Sequence, residues 1–187
     1  SGEDGLNGST GNDTMDGGSN DDRVYGAVGE DNVRGGNGND TIGGGNGNDT
    51  MFGDAGTDGM NGNSGDDVMD GGIGNDTMYG SNGDDTIDGG ADDDLLVGQG
   101  GVDVYKFQGE WGHDRLSRYG EVVQGGPRTF DEVIDMRLTA ATSFADLTVV
   151  QDGNSTRVTI TGDTANSIEI LFQNVSGITA DDFFFGV

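Results

Sequence analysis

The sequence predicts an all-β protein. We expect a two-sheet solenoid over residues 1–106, in which two nine-residue units form each 18-residue turn, followed by a β-rich C-terminal capping region over residues 107–187. Three observations support this fold class. Every ninth residue from Gly8 to Gly98 is glycine, every ninth residue from Asp4 to Asp103 is aspartate, and an apolar residue follows each of those aspartates by two positions. A fixed period without insertion or deletion predicts stacked, repeated structural units.

One repeat unit, numbered as positions 1 to 9, runs from Gly35 to Gly43 and reads Gly-Gly-Asn-Gly-Asn-Asp-Thr-Ile-Gly. Glycine at positions 1, 2 and 4 permits positive φ and close backbone approach, which predicts a loop over the first six residues. Positions 7 to 9 are strand-like, and only position 8 is apolar. Two units therefore form one turn, and the position-8 side chains line the inside of two sheets: Leu6, Met15, Val24, Val33, Ile42, Met51, Met60, Met69, Met78, Ile87, Leu96 and Tyr105.

Stacking with two units per turn places the position-6 aspartates in two columns, one along each edge of the solenoid. The first column holds Asp4, Asp22, Asp40, Asp58, Asp76 and Asp94, and the second holds Asp13, Asp31, Asp49, Asp67, Asp85 and Asp103. Carboxylates about one strand spacing apart repel each other unless a cation lies between them. Oxygen ligands without histidine or cysteine favour a hard cation, and flexible loops favour Ca²⁺ over Mg²⁺. Two columns of six loops leave five gaps each, so we expect several Ca²⁺ ions, up to about ten.

The net charge agrees with a cation-binding protein. The chain carries 35 acidic and 8 basic residues, for a formal net charge of −27. Such a charge excludes nucleic acid and anionic membranes as partners. No apolar run approaches the roughly 18 residues of a transmembrane segment, and no charged-then-apolar secretion signal opens the chain. Because the sequence begins within a repeat at Ser1, we expect it to be the C-terminal part of a longer protein.

The Gly-Gly-x-Gly-x-Asp-x-apolar-x unit resembles the calcium-binding nonapeptide of the repeats-in-toxin family of secreted haemolysins, metalloproteases and lipases. The resemblance covers residues 1–106 and implies a right-handed parallel β-roll. In that family, Ca²⁺ lies between a loop and the loop after next. Its ligands are the position-6 aspartates of both loops, the carbonyls at positions 2 and 4 of the first, and the carbonyls at positions 1 and 3 of the second. One implied site pairs Gly36, Gly38 and Asp40 with Gly53, Ala55 and Asp58.

Carried along the array, the resemblance implies further backbone carbonyl ligands. With those just named, they are Gly11, Gly18, Gly26, Gly29, Gly35, Asn37, Gly44, Gly45, Asn46, Gly47, Gly56, Gly62, Ser64, Gly65, Gly71, Gly72, Ile73, Gly74, Gly80, Asn82, Gly83, Gly89, Ala91, Gly98 and Gly100. Asn20 and Asp92 replace the position-4 glycine, so we expect weaker binding at the loops that end in Asp22 and Asp94. Arg23 and Arg34 lie beside early loops, where they predict lower occupancy.

Glycine becomes sparse after the repeat, and aromatic and β-branched residues appear. Residues 109–116 resemble one more unit, displaced by two residues, with Asp114 as a further candidate ligand. A loop is predicted over residues 121–129. Strands are predicted at Glu132–Met136, Leu147–Gln151, Thr156–Thr161 and Ser167–Gln173, with a hairpin turn at residues 152–154.

The last nine residues, 179–187, combine two aspartates with a short apolar end. They resemble the uncleaved C-terminal signal that type I secretion exporters read in this family. A final edge strand that packs on the cap is the alternative interpretation. If the signal is present, the partner is a type I exporter and the location is outside a bacterial cell.

The sequence therefore predicts a calcium-binding β-roll module that folds on Ca²⁺ outside the cell and supports type I secretion and folding of a larger protein. We expect no catalytic activity from the chain itself. It contains one histidine, no cysteine and neither a Gly-x-Ser-x-Gly nor a His-Glu-x-x-His motif. Any activity would belong to a missing N-terminal domain. The alternative function is a calcium-stabilised adhesin or polysaccharide-binding module, with Trp111, Arg118 and Tyr119 as candidate contacts.

Overall fold

The protein is described by a computed structural model over residues 2–108, 112–117, 133–138, 147–152, 155–160, 167–171 and 183–184. Every regular element in these ranges is a β-strand. No helix in the described part of the chain is long and apolar enough to cross a membrane.

Thirteen strands form the repeat and its first continuation. They are β1 (Gly5–Asn7), β2 (Thr14–Ser19), β3 (Arg23–Val28), β4 (Asn32–Asn37), β5 (Thr41–Asn46), β6 (Thr50–Ala55), β7 (Gly59–Ser64), β8 (Val68–Ile73), β9 (Thr77–Asn82), β10 (Thr86–Ala91), β11 (Leu95–Gly100), β12 (Val104–Gln108) and β13 (His113–Ser117). Five more follow: β14 (Val133–Leu138), β15 (Leu147–Asp152), β16 (Ser155–Ile160), β17 (Ser167–Leu171) and β18 (Phe183–Phe184).

The strands alternate between two sheets, as the 18-residue period predicts. Odd-numbered strands form one sheet in the order β1-β3-β5-β7-β9-β11-β13-β17-β16-β15, and even-numbered strands form the other in the order β18-β14-β12-β10-β8-β6-β4-β2. Within the repeat all pairs are parallel, and each residue pairs with its equivalent one turn later, as in Ile42↔Met60 and Met51↔Met69. The predicted two-sheet parallel solenoid of about six turns is therefore confirmed.

The strands are longer than the repeat predicted. A typical strand, Thr41–Asn46, spans positions 7 to 9 and continues through positions 1 to 3 of the next unit. The ladder extends into the turn, because the backbone N–H of Gly38 donates to the carbonyl of Ala55 at 2.9 Å. The expectation of a six-residue loop was wrong, since backbone pairing does not require side chains at the glycine positions.

The core is one row of position-8 side chains per sheet. From Val24 to Tyr105 each of them is at most 2% exposed, while Leu6 and Met15 of the first turn are half-buried. Phe107 and Leu116 extend the core beyond the repeat. Both sheets therefore share a narrow apolar interior that fixes the spacing of the turn edges.

Parallel pairing continues past the repeat with a changed register. β13 pairs with β11 through Leu95↔Arg115, so Arg115 lies two residues further along the chain than the repeat period would place the partner of Leu95. The predicted displacement by two residues is therefore confirmed for residues 113–116, and residues 109–111 lie outside the described ranges. The four strands predicted between residues 132 and 173 are found with shifted ends, and β15, β16 and β17 pair antiparallel. β18 pairs with β14 at a sheet edge, which agrees with the edge-strand interpretation. Residues 121–129 and 153–154 lie outside the described ranges, and the domain boundary at residue 106 stays a prediction.

Candidate metal centre

The position-6 aspartates lie along the two turn edges of the roll, in the two columns that the sequence predicts. Asp4 to Asp94 of the first column each lie directly before an odd-numbered strand, and Asp114 joins this column as a seventh member inside β13. The aspartates of the second column lie directly before the even-numbered strands. From Asp22 onward the column side chains are at most 3% exposed. Such deep burial is unusual for carboxylates that have no cationic partner.

One carboxylate oxygen of each column aspartate from Asp22 onward is held by the preceding turn. Oδ1 accepts a hydrogen bond from the backbone N–H of the column aspartate one turn earlier, with N···O distances between 2.6 and 3.0 Å. The first column has six such bonds, the last joining Asp94 N to Asp114 Oδ1 at 2.9 Å, and the second column has five. The repeated bond fixes every carboxylate in the same relation to its neighbours.

The other carboxylate oxygen, Oδ2, is buried without a hydrogen-bond partner. Within the described part of the chain this is true of Asp13, Asp22, Asp31, Asp40, Asp49, Asp58, Asp67, Asp76, Asp85, Asp94 and Asp114. An ionised oxygen buried without a donor destabilises the fold unless a cation compensates it. The arrangement is therefore incomplete without a positively charged partner.

A backbone carbonyl converges on this oxygen beside the position-1 glycine. A Cβ added to Gly17 would lie 2.7 Å from Asp22 Oδ2 and 2.7 Å from the carbonyl oxygen of Gly35. The same pair of oxygens converges beside Gly8, Gly26, Gly53, Gly62 and Gly71. Because Gly35 is position 1 of the loop after next, the structure brings together an aspartate and a carbonyl that the family resemblance pairs as ligands. Two acceptors without a donor between them suit a hard cation.

The predicted carbonyl ligands at positions 4 and 3 differ in their contacts. The carbonyl at position 4 points along the column, so that a Cβ on Gly38 would overlap the carbonyl of Asn20 one turn earlier. The carbonyl at position 3 already accepts a backbone hydrogen bond, as Ala55 does from Gly38. The ligand roles of the carbonyls at positions 2, 3 and 4 stay predictions.

The departures from the repeat preserve its backbone. Asn20 and Asp92 keep the positive φ of this position, with values of 81° and 80°, whereas Gly38 at the same position has a φ of 141°. The weaker binding predicted at their loops stays a prediction. Arg34 lies on the outer face, with Nη1 3.1 Å from Asp54 Oδ1 and its guanidinium 5.2 Å from the centre of the Phe52 ring.

Burial raises the pKa of eight column carboxyls: Asp40, Asp49, Asp58, Asp67, Asp76, Asp85, Asp94 and Asp114. Desolvation is the main cause, repulsion between neighbouring aspartates adds to it, and the backbone hydrogen bond to Oδ1 partly opposes it. The pKa of Asp58 rises to about 6 and that of Asp67 to about 7. The largest effect falls on Asp114, whose pKa rises to about 9. At neutral pH, full ionisation of a column therefore needs a cation.

We predict opposite pH responses with and without calcium. The raised pKa means that the metal-free folded state binds more protons than the unfolded state, so its stability is greatest at or below about pH 4 and falls as the pH rises toward 7. Calcium competes with those protons, so the Ca²⁺ concentration at half-folding should rise as the pH falls from 8 to 6. Circular dichroism after removal of calcium on a chelating resin tests the first trend. Calcium titrations at each pH test the second, and a calcium midpoint independent of pH would contradict it.

Side chains alone do not complete a metal site in the described part of the chain. No group of three or more Asp, Glu, His or Cys side chains there is placed to hold a metal ion. Each gap offers two column carboxylates, so the remaining ligands of a Ca²⁺ ion, which takes six to eight oxygens, must be carbonyls or water. The predicted set of aspartates and carbonyls is of this kind, and it stays a prediction.

A second hydrogen-bond ladder, at position 5, was missed by the sequence analysis. There the side-chain oxygen accepts the backbone N–H of the position-5 residue one turn later, opposite in direction to the position-6 ladder. The acceptors are Asn12, Asp21, Asn39, Asn48, Asp66, Asn75, Asp84 and Asp93. The available signal was the frequency of Asn and Asp at this position. These hydrogen bonds join successive turns on the exposed side of the aspartate column.

The RTX calcium-binding nonapeptide repeat family matches in overlapping segments over residues 1–33, 26–60, 34–69, 44–78 and 70–105. The chain belongs to this family. Among solved structures, the RTX chain is similar to the extracellular lipase LipA from Serratia marcescens, with 17% sequence identity and a TM-score of 0.38. That similarity covers 92% of this chain and 38% of the lipase chain. No curated protein sequence gives a significant match.

Several predicted features lie outside the described residues. These are Trp111, Arg118 and Tyr119, which the sequence proposed as glycan contacts, and most of the C-terminal segment over residues 179–187. His113 is described and exposed, and its backbone N–H donates to Asp93 Oδ1 at 2.9 Å. The structure thus places His113 in the position-5 ladder of the repeat.

Proposed function

We propose that this chain is a calcium-binding β-roll module that folds on Ca²⁺ outside the cell. In this proposal it supports type I secretion and folding of a larger extracellular bacterial protein. The observation that carries the proposal is the repeated convergence of a buried, unpartnered Asp Oδ2 with a backbone carbonyl. RTX repeats bind calcium, and this arrangement is an oxygen donor set of the kind that Ca²⁺ takes.

The calcium ligands would be two consecutive aspartates of a column and the carbonyls of their turns. In the middle of the second column these are Asp49 and Asp67 with the carbonyls of Gly45, Gly47, Gly62 and Ser64. Calcium supplies the positive charge that lets the buried carboxylates ionise. Because the aspartates of one site come from different turns, the site exists only in the folded chain, and binding free energy becomes folding free energy.

Secretion follows from the same coupling. A chain with a net charge of −27 repels itself where calcium is scarce, as in the cytosol, and stays extended enough to pass an exporter. Extracellular calcium neutralises the columns and folds the roll. Because the repeat keeps one period throughout, its turns would stack into one continuous solenoid, C-terminal to any domain that precedes it.

We propose no catalytic role for the chain itself. The buried column carboxylates are fixed by backbone hydrogen bonds and are assigned to metal binding, and the one histidine lies in the position-5 ladder. Any enzymatic activity would belong to another part of the protein. Assays of the isolated chain with ester, peptide and glycoside substrates should stay at background, and turnover that depends on a column aspartate would contradict this.

Far-UV circular dichroism during a Ca²⁺ titration tests the proposal. After calcium removal at pH 8, we expect a disordered spectrum that converts cooperatively to β structure at roughly 10⁻⁴–10⁻³ M Ca²⁺. The same titration with Mg²⁺ should leave the chain disordered, because Mg²⁺ demands smaller octahedral sites. Full β structure without metal would contradict calcium-driven folding.

We also predict that Asp114 adds a calcium site beyond the matched repeat. Its Oδ1 makes the column hydrogen bond to Asp94, its Oδ2 is buried and unpartnered, and it is 1% exposed. Native mass spectrometry of Asp114→Asn should show one ion fewer than the parent chain at saturating Ca²⁺. Asp93→Asn is the matched control, since it removes a neighbouring exposed charge and should keep the full count. Equal counts for all three proteins would show that the column ends at Asp94.

A further inference from the structure

Charge is divided between the two sheets of the roll. None of the odd-numbered repeat strands β1 to β11 contains an aspartate or glutamate, and their one charged residue is Arg23. Each of the even-numbered strands β2 to β12 carries a charged residue on its length: Asp16, Arg34, Asp54, Asp70, Asp88 and Lys106. We call the outer surface of β3, β5, β7 and β9 the uncharged face, leaving out Arg23, which is exposed at the start of β3. A neutral partner that covers this face desolvates no carboxylate, whereas on the other sheet it would desolvate charged side chains at a cost in free energy.

Two tyrosines stand on the uncharged face in one row. The register Tyr25↔Gly43↔Asn61↔Tyr79 places them three strands apart, roughly 14 Å. Tyr25 is 41% exposed. Its ring lies over the neighbouring strand, since a Cβ on Gly43 would be 2.8 Å from Tyr25 Cδ1. Glycine at this position therefore lets an aromatic ring lie along the sheet with its outer side in solvent.

The space between the tyrosines is lined by fixed, uncharged polar groups. Asn61 Oδ1 accepts hydrogen bonds from the backbone N–H of Asn63 at 3.1 Å and from Ser81 Oγ at 3.0 Å. Asn63 Nδ2 donates to the carbonyl of Asn61 at 3.1 Å, and Asn82 Nδ2 donates to the carbonyl of Asn63 at 3.3 Å. With Oδ1 of Asn61 used as acceptor, the remaining hydrogen-bonding group of this exposed side chain is its amide nitrogen, a donor. These side chains are held in place before any ligand arrives, which lowers the entropy lost on binding.

We propose that the uncharged face binds a neutral polysaccharide whose chain runs across the strands between Tyr25 and Tyr79. The C–H groups of a pyranose ring pack on the negatively polarised face of an aromatic ring, and its hydroxyls match the amide and hydroxyl groups of Asn61 and Ser81. Anionic polymers are repelled by the net charge of the chain. An apolar partner has no continuous patch to cover, because exposed aliphatic side chains such as Val28 are isolated among polar residues.

The test uses the whole chain in saturating Ca²⁺ with cellulose, chitin, amylose and dextran as probes, and alginate as the anionic comparison. Affinity electrophoresis and pull-down should show retention by at least one neutral polymer and none by alginate. Tyr25→Ala and Tyr79→Ala should each weaken that binding about fivefold, and the double variant at least tenfold. Phe52→Ala is the matched control, because it removes an aromatic ring at the same repeat position on the opposite sheet, and it should bind like the parent chain.

Three results would overturn the proposal: no retention by any neutral polymer, preferential binding of alginate, or binding that survives the double tyrosine variant. Sedimentation velocity tests whether a second copy of the chain binds to this face. Self-association that the double variant abolishes would assign the face to a second copy of the chain instead. Circular dichroism of each variant in Ca²⁺ confirms that the roll is folded before binding is measured. A failure of calcium-driven folding is thereby distinguished from a failure of glycan binding.

Discussion

Replacing Gly62 by alanine should prevent the roll from folding at calcium concentrations that fold the parent chain. A Cβ at this position would overlap Asp67 Oδ2 and lie 2.7 Å from the carbonyl oxygen of Gly80. Both oxygens belong to turns that are stacked above and below by hydrogen bonds, so neither moves without disturbing the next loop. We expect the Ca²⁺ midpoint measured by circular dichroism to rise at least about tenfold, equivalent to about 1.4 kcal/mol per tenfold change in one binding constant.

Gly59→Ala is the control within the same strand. The nearest atom to a Cβ on Gly59 is the Asp40 carbonyl oxygen at 3.9 Å, an ordinary contact distance. Losing glycine there reduces the freedom of the unfolded chain, so the variant should match the parent or fold at slightly lower calcium. If both alanine variants lost folding equally, the space beside Gly62 would not be the reason for its glycine.

Asp67→Asn should have opposite effects on the metal-free and calcium-bound states at pH 8. Asparagine keeps an oxygen to accept the Asp49 N–H, which Asp67 Oδ1 now accepts at 2.8 Å. It also replaces the unpartnered Oδ2 with an amide nitrogen near the Gly80 carbonyl. Without calcium, the loss of a buried charge should increase β structure. With calcium, the loss of a ligand charge should raise the midpoint about tenfold.

Asp66→Asn is the matched control for charge. Asp66 is the exposed neighbour, and its Oδ1 accepts the N–H of Asp84 at 2.9 Å, a bond that asparagine preserves. This variant removes the same formal charge without touching the column, so it should leave both the metal-free spectrum and the calcium midpoint nearly unchanged. A shift as large as that of Asp67→Asn would mean that net charge, rather than the column, controls folding. Circular dichroism with and without Ca²⁺ reads out both variants.

The period alone was sufficient to predict the sheets, the core row and the two columns. Each of these depends on a side chain that recurs in register, such as Ile42 in the core or Asp40 at the turn. Strand length was underestimated because positions 1 to 3 carry no strand-forming side chains, although their backbone groups continue the ladder. Position-1 glycine was attributed in part to positive φ. The structure shows instead that Gly17 and its equivalents leave room for a carboxylate.

Other features depend on relations that a nine-residue pattern hides. The position-5 ladder joins residues such as Asn48 and Asp66, which look like variable loop positions until they are aligned one turn apart. The uncharged face appears only when alternate units are compared, because Tyr25 and Tyr79 share a sheet while Phe52 belongs to the other. Asp114 follows Asp94 by 20 residues instead of 18, and the sequence showed this two-residue displacement. The hydrogen bond between Asp94 N and Asp114 Oδ1 could be found only from the fold.

The assignment of alternate units to alternate sheets limits how such a chain can gain or lose length. Removing two consecutive units deletes one whole turn and returns every later strand to its own side. Removing a single unit keeps the metal-binding and core positions in phase, yet every strand downstream changes sides. Tyr79 would then lie in the row that contains Asp16 and Phe52, and the uncharged face would end at the deletion. Selection on that surface would therefore favour changes in repeat number by pairs, whereas selection on folding alone would accept odd numbers.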